Sequence, residues 1–187
     1  MQKVQVSTAH YLTDLRQALD DVPHGPIEAL VALLVDAAHT GKTVFAVGNG
    51  GSAATASHLA CDLGKGTRPL VGPRMRVLAL TDNASLITAW ANDVAYEDIF
   101  AEQLRNLCRP GDILIAISAS GMSPNILRAA EVARSCRATV VALTGAGGAL
   151  GPAADLWIGT PAGCIEQVED LHLIVQHLVC CQVRERL

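Results

Sequence analysis

Aromatic side chains are almost missing: two Trp, two Tyr and two Phe make up 3% of 187 residues. Ala, Val, Leu and Ile must therefore fill the core. Their small volumes allow close helix packing, and an alanine-rich surface often meets a copy of itself. Basic charge is also scarce, with 14 Lys and Arg against 18 Asp and Glu for a net charge of −4. No basic patch or arm stands out, which argues against nucleic acid as a direct ligand. No apolar run reaches the ~18 residues of a membrane span. The opening MQKVQVSTAH lacks the apolar core of a secretory leader. No C-x-x-C pair occurs among the six cysteines Cys61, Cys108, Cys136, Cys164, Cys180 and Cys181. A disulfide framework is not expected, each thiol reads as a small buried hydrophobe, and the expected compartment is a reducing cytoplasm. Internal repeats, low-complexity tracts and linkers are absent too.

What is present is a hydrophobic chain, 50% apolar, long enough for one domain with its own core. Residues 13–22 and 26–40 have helical spacing, with Pro26 in a first turn and Gly41 as a stop. Short apolar runs follow: TVFAV (43–47), RVLAL (76–80), ILIAI (113–117), TVVAL (139–143) and LWIG (156–159). They are nearly continuous rather than alternating, as in strands buried on both faces. Helix-like segments separate them at 52–63, 84–107 with a break near Asn92, and 123–136. A last helix runs from 165 to the C-terminus. This alternation predicts an α/β fold, a parallel sheet with helices on both faces. The expected organisation is one domain, 1–187, with N-terminal helices in 1–41 for oligomerisation and the sheet core and C-terminal helix in 42–187. Ligands of such sheets gather at the carboxyl ends of the strands.

Two of those ends have unusual loops. The first strand runs into Gly48-Asn49-Gly50-Gly51-Ser52. Glycines let backbone N–H groups approach a bound group, Ser52 is a good N-cap, and a helix N-terminus attracts an anion. The pattern is neither G-x-x-x-x-G-K-[ST] nor G-x-G-x-x-G, so no nucleotide is implied. Taken alone, it reads equally well as a tight capped turn. The third strand ends in a second such loop, with Ser118, Ser120 and Ser123, Gly121 and Pro124. Three hydroxyls and a helix start can surround a phosphate without Lys or Arg. A third glycine-rich loop, LTGAGG (143–148), carries no further polar group and reads as structural.

GNGGSAA, SHLACDL, WAND, ISASGMS and VEDLHLIVQH, in this order and spacing, resemble the sugar isomerase (SIS) domain family. The resemblance covers nearly the whole chain and is narrowest to its phosphoheptose isomerases, which interconvert sedoheptulose 7-phosphate and an aldoheptose 7-phosphate. It implies a three-layer α-β-α sandwich around a flavodoxin-like, five-stranded parallel sheet. It implies that Asn49, Gly50, Gly51 and Ser52 lie against the sugar phosphate and that Asn92 and Asp93 contact substrate hydroxyls. Ser118, Ala119, Ser120 and Ser123 would hold the phosphate. The family usually has Thr where Ala119 stands, so one hydroxyl is missing while the backbone N–H remains. His58, Asp62, Glu169 and His177 fall where the family has zinc ligands and its acid–base pair, with one Zn²⁺ per subunit. The resemblance also implies a homotetramer, or at least a dimer, with sites at subunit interfaces.

These four residues are reasonable chemically. His58 and Asp62 are four apart and share a helical face. Glu169 and His177 are eight apart, about two turns plus a modest rotation. Two imidazoles and two carboxylates are acceptable zinc ligands. Each residue taken singly also reads as an ordinary helix-face or solvated side chain. Spacing does not separate His172 from His177; the resemblance prefers His177. The family usually carries Glu at the Asp62 position and Gln at the Glu169 position. The two departures either compensate one another or mark altered substrate choice.

The implied reaction converts D-sedoheptulose 7-phosphate to D-glycero-D-manno-heptose 7-phosphate through an enediol. It needs a base at carbon, an acid at oxygen and a group that polarises the carbonyl. Asp62 is the first candidate for the base, Glu169 its substitute, and His177 the second acid–base group. No redox cofactor is needed. Two other readings of the resemblance are a non-catalytic SIS module, similar to proteins that associate with the replication initiator, and a phosphosugar sensor. The full set of metal-ligating side chains favours the enzyme.

Overall fold

Each of the five apolar runs forms a strand in the computed structural model, which describes residues 7–68 and 71–187. Residues 1–6, part of the segment inspected for a leader, lie outside the described residues. The strands are β1 Thr43–Val47, β2 Arg76–Ala79, β3 Ile113–Ser118, β4 Thr139–Gly145 and β5 Leu156–Thr160. They pair in parallel in the order β2-β1-β3-β4-β5, the flavodoxin-like arrangement. The order reverses beside β1, so the loops after β1 and β3 flank the crevice where ligands of open α/β sheets bind.

Alternate residues along each strand feed two separate cores, as the period of two requires. Val44, Ala46, Ile113, Ile115, Ile117, Val141 and Leu143 face one core. Phe45, Val47, Leu114, Ala116, Val140 and Ala142 face the other. The first core is closed by α2 (His24–Thr40), α3 (Gly51–Cys61) and α8 (Ile165–Arg186). The second is closed by α5 (Ala101–Leu107) and α6 (Pro124–Ser135). Small residues dominate the helical contributions, Ala129, Ala130 and Ala133 among them, so helix and sheet approach closely.

Helix α1 (Thr8–Asp20) begins earlier than its apolar spacing indicates, because Ser7 caps it by accepting the His10 N–H at 3.1 Å. Its Tyr11 hydroxyl donates to Asp170 on α8 at 2.6 Å. Helix α2 is an integral part of the core, with Leu30, Val31 and Leu34 buried. Burying each such side chain contributes about 1.5–3 kcal/mol. The helical stretch expected over 84–107 is divided. Helix α4 (Ala84–Asp93) stops, the chain makes a 3₁₀ turn at Tyr96–Asp98, and α5 follows. The division lets Ile99 and Phe100 turn into the second core, while α4 itself buries no residue. A short helix, α7 (Leu150–Ala153), was not indicated by periodicity.

The glycine-rich third loop has a structural role. Gly148 has φ +92°, and a Cβ there would lie 2.4 Å from the Ser120 carbonyl oxygen. The Ala149 and Leu150 N–H groups both donate to the Gly121 carbonyl at 3.0 Å. The loop after β4 thereby braces the serine loop after β3.

Candidate active site

The loop after β1 is tight because it has no room for side chains. A Cβ on Gly48 would stand 2.3 Å from the Ser52 carbonyl oxygen. Gly50 has φ 54° and ψ −122° and occupies the cap position of α3. Ser52 is therefore not the N-cap expected from sequence. It is the second residue of α3 and is buried, because the glycines let the cap stand two residues earlier, at Gly50. Gly51 opens the helix, whose first N–H groups have no intrahelical acceptor.

Asn49 clasps Asn125 on α6 by two reciprocal amide hydrogen bonds, each 2.8 Å. The Tyr96 hydroxyl adds a third bond to Asn49 Oδ1 at 3.2 Å. The clasp ties the β1 loop to the start of α6, and with it to the serine loop. In that loop Ser118 ends β3 and is buried, its Oγ 3.3 Å from Ser123 Oγ. Ser120 Oγ accepts the Met122 N–H at 3.2 Å. Ser123 caps α6 by position, with Pro124 as its first residue. Gly121, at φ 62°, makes the turn. The two loops thus present hydroxyls and helix-start N–H groups side by side.

The predicted metal residues are only partly brought together. His58 on α3, Asp62 at its end and His177 on α8 each offer a ligand atom within 4.8 Å of the others. Asp62 Oδ2 lies 3.4 Å from His58 Nε2 and 3.9 Å from His177 Nε2. The two imidazoles meet edge to face with centroids 4.9 Å apart. Ligand atoms about 2.0–2.1 Å from a tetrahedral ion are roughly 3.3 Å apart, so the triad fits a divalent ion with little movement. The three side chains are a third to a half exposed, which leaves them open to a substrate. After Asp62 the chain forms one π-helical turn, Asp62–Gly66, a feature frequent at functional sites.

Glu169 is not in this group. Its carboxylate lies over Gly51, where an added Cβ would be 2.4 Å from Oε1. It lies at the positive end of α3 instead, a favourable place for a negative charge. Asn92 and Asp93 lie exposed at the end of α4, hydrogen-bonded to each other at 2.7 Å. Three residues not singled out in the sequence belong to the surroundings: Asn125, Tyr96 and Gln176, whose Nε2 lies 3.5 Å from Asp62 Oδ2. Their signal was a polar residue on an otherwise apolar face, visible for Gln176 and Asn125 alone. The Cys180 thiol also backs onto this region. Burial, helped by the Asp62 charge, pushes it up to about 12, so it stays protonated.

His172 is separated from His177 by burial. It is 1% exposed, and neither ring nitrogen reaches an aligned partner. Burial pushes its pKa down to about 4, the Thr144 backbone opposing only slightly. The unfolded chain then takes up a proton that the native chain refuses. Stability contributed by neutral His172 is complete above pH 6.5 and is lost as pH falls from 6.5 towards 4. The full loss is on the order of 3 kcal/mol. His172→Met should abolish this part of the acid lability, seen as a flatter pH dependence of the urea midpoint than in the native protein. Identical slopes would refute it.

A family model described as SIS domain matches residues 9–145. The phosphoheptose isomerase of Akkermansia muciniphila is 41% identical over 157 residues, 83% of this chain and 82% of its own. That of Shewanella loihica is 35% identical over 191 residues, covering 100% of this chain and 96% of its own, α8 included. Among solved structures, the phosphoheptose isomerase of Neisseria gonorrhoeae superposes with a TM-score of 0.86 at 28% identity, covering 95% of this chain and 96% of that one. That of Francisella tularensis gives 0.85 at 28% identity, with 95% of each chain covered. Sheet order, paired loops and full-length similarity agree, and the chain belongs to the SIS-domain family and, within it, to the phosphoheptose isomerases.

Proposed function

We propose that this chain is an aldose–ketose isomerase converting D-sedoheptulose 7-phosphate to D-glycero-D-manno-heptose 7-phosphate. The observation that carries the reading is the convergence of His58, Asp62 and His177, from α8 and from the helix α3 that opens at the β1 loop. The loops hold the phosphate: the first N–H groups of α3 behind Asn49, Gly50 and Gly51, and the hydroxyls of Ser118, Ser120 and Ser123 with the Ala119 N–H. Asn92 and Asp93 orient the sugar hydroxyls. The Asp62 carboxylate takes the carbon-bound proton and returns it to the adjacent carbon of the enediol. His177 moves the second proton between the two oxygens. Glu169, which reaches from α8 to Gly51 at the start of α3, is the substitute candidate for that base. His58, Asp62 and His177 would hold one zinc ion per subunit, which would supply Lewis-acid polarisation of the carbonyl.

Incubating the protein with C5 to C7 ketose phosphates in deuterated water tests the reading. Deuterium at C2 of the aldose heptose phosphate is expected. Binding of the sugar without any exchange would leave a sensor, and no binding at all would end the phosphosugar reading.

Phosphate binding rests on donors that are not cationic. Ser120→Ala is expected to raise KM about 10-fold, since a hydrogen bond to a charged group is worth ~1.5–3 kcal/mol. An unchanged KM in the Ser120→Ala, Ser123→Ala double variant would move the phosphate elsewhere.

The working form is a homotetramer in the cytoplasm, built through the N-terminal helices of 1–41 and α8. Exposed Leu12, Ile174 and Leu178 on these helices support pairing. The cysteines are all free, which supports a reducing compartment. No helix among the described residues is long and apolar enough to cross a membrane. Light scattering checks the assembly; a monomer at micromolar concentration would refute it.

A further inference from the structure

Gln176 immediately precedes His177 and is 2% exposed. On a 3.6-residue helix it shares a face with His172, Val179, Cys180 and Val183, all buried. An amide on such a face is costly. Its Oε1 has no hydrogen-bond partner, and a buried unpaired polar atom is destabilising. A leucine or methionine would satisfy the same pattern without that cost. The amide's contact is with one atom: Nε2 faces Asp62 Oδ2 at 3.5 Å. That oxygen is also the one turned to His58 and His177. A carboxylate accepts and does not donate, so the nitrogen is the end that faces it. Asp62 sits at the end of α3 with a short side chain that is about a third exposed, and on its own helix it faces His58 Nε2 at 3.4 Å.

Resting on the metal-site reading above, we propose that Gln176 is a positioning residue: its amide holds Asp62 turned toward His58 and His177 and so sets the affinity of the triad for a divalent cation. The cost of the buried amide is then offset by a better-ordered ligand.

The test is titration of the native protein and of Gln176→Met with zinc and with cobalt(II) against a competing chelator. The cobalt absorption bands report ligand geometry directly. Groups that orient metal ligands typically contribute 10–100-fold in affinity. Gln176→Met is expected to bind both ions 10–100-fold more weakly, with an altered cobalt spectrum. Its thermal midpoint should be equal or higher, because the orphaned oxygen is gone. Gln176→Leu should behave the same way and serves if the methionine variant folds poorly. In an Asp62→Ala background the Gln176→Met change should cost less than twofold further, since there is no carboxylate left to hold. Affinity within threefold of native in Gln176→Met, or a full additional loss in the Asp62→Ala background, overturns the proposal. Failure of the native protein itself to bind either ion overturns the metal-site reading and this proposal with it, a result distinct from native binding with an indifferent variant.

Discussion

Asp62→Asn is expected to lower kcat for the heptose phosphate by about 10²–10⁴-fold, the usual worth of a positioned general base. Asn has the same shape and keeps a carbonyl oxygen toward His58 and His177, but it cannot hold a proton taken from carbon. It also removes the negative charge that favours a cation between the two imidazoles. Both losses fall on turnover, while the phosphate loops remain intact, so KM should change far less. The side chain is about a third exposed and makes no bond that the fold depends on. The thermal midpoint should therefore move little. Steady-state kinetics together with solvent deuterium exchange reads both quantities. A variant retaining more than a tenth of native turnover would show that the base lies elsewhere, with Glu169 the residue to examine next.

Gly48→Ala should be among the most damaging single-methyl additions in the chain. The new Cβ would stand 2.3 Å from the Ser52 carbonyl oxygen and 2.8 Å from the Ala53 nitrogen. These are backbone atoms of the first turn of α3, so no rotamer change relieves the clash. Overpacking costs 1–3 kcal/mol and sometimes more. A loss of about 3 kcal/mol is expected, with a KM for sugar phosphate raised at least as much as in Ser120→Ala. Gly25→Ala is the control. It lies in the first turn of α2 with nothing within 4 Å of its Cβ position, and should be neutral or slightly stabilising. Urea midpoints of the two variants make the comparison. Equal midpoints would mean that the β1 loop yields more readily than its geometry indicates.

The parts of this fold legible in the sequence are those set by local pattern. TVFAV, ILIAI and TVVAL could only be strands buried on both faces, and each became one. The glycines after β1 and the serines after β3 marked loops because those residue types have little other use at a strand end. His58 and Asp62 were legible as a pair because four residues bring them to one face of a helix. Long-range partners were not legible. Gln176 and Asp62 are 114 positions apart, and Asn49 and Asn125 are 76 apart. No periodicity connects such residues. The placement of Glu169 over Gly51 depends on how α8 crosses the start of α3, which is a matter of packing. The cap of α3 stands two residues before the Ser52 that the sequence suggests, since Gly50 can adopt the cap conformation. Separation of His177 from His172 likewise needed burial, which spacing does not contain.

The reciprocal clasp between Asn49 and Asn125 has an evolutionary consequence. Each amide satisfies the other, so replacing either one alone strands a polar group; Asn125, 2% exposed, has no water to turn to. A lineage drifting through single substitutions meets a fitness valley at both positions. The pair should therefore be inherited together or exchanged together among descendants of this gene. Tyr96, which bonds the same Asn49 oxygen from a more exposed position, is free to vary first.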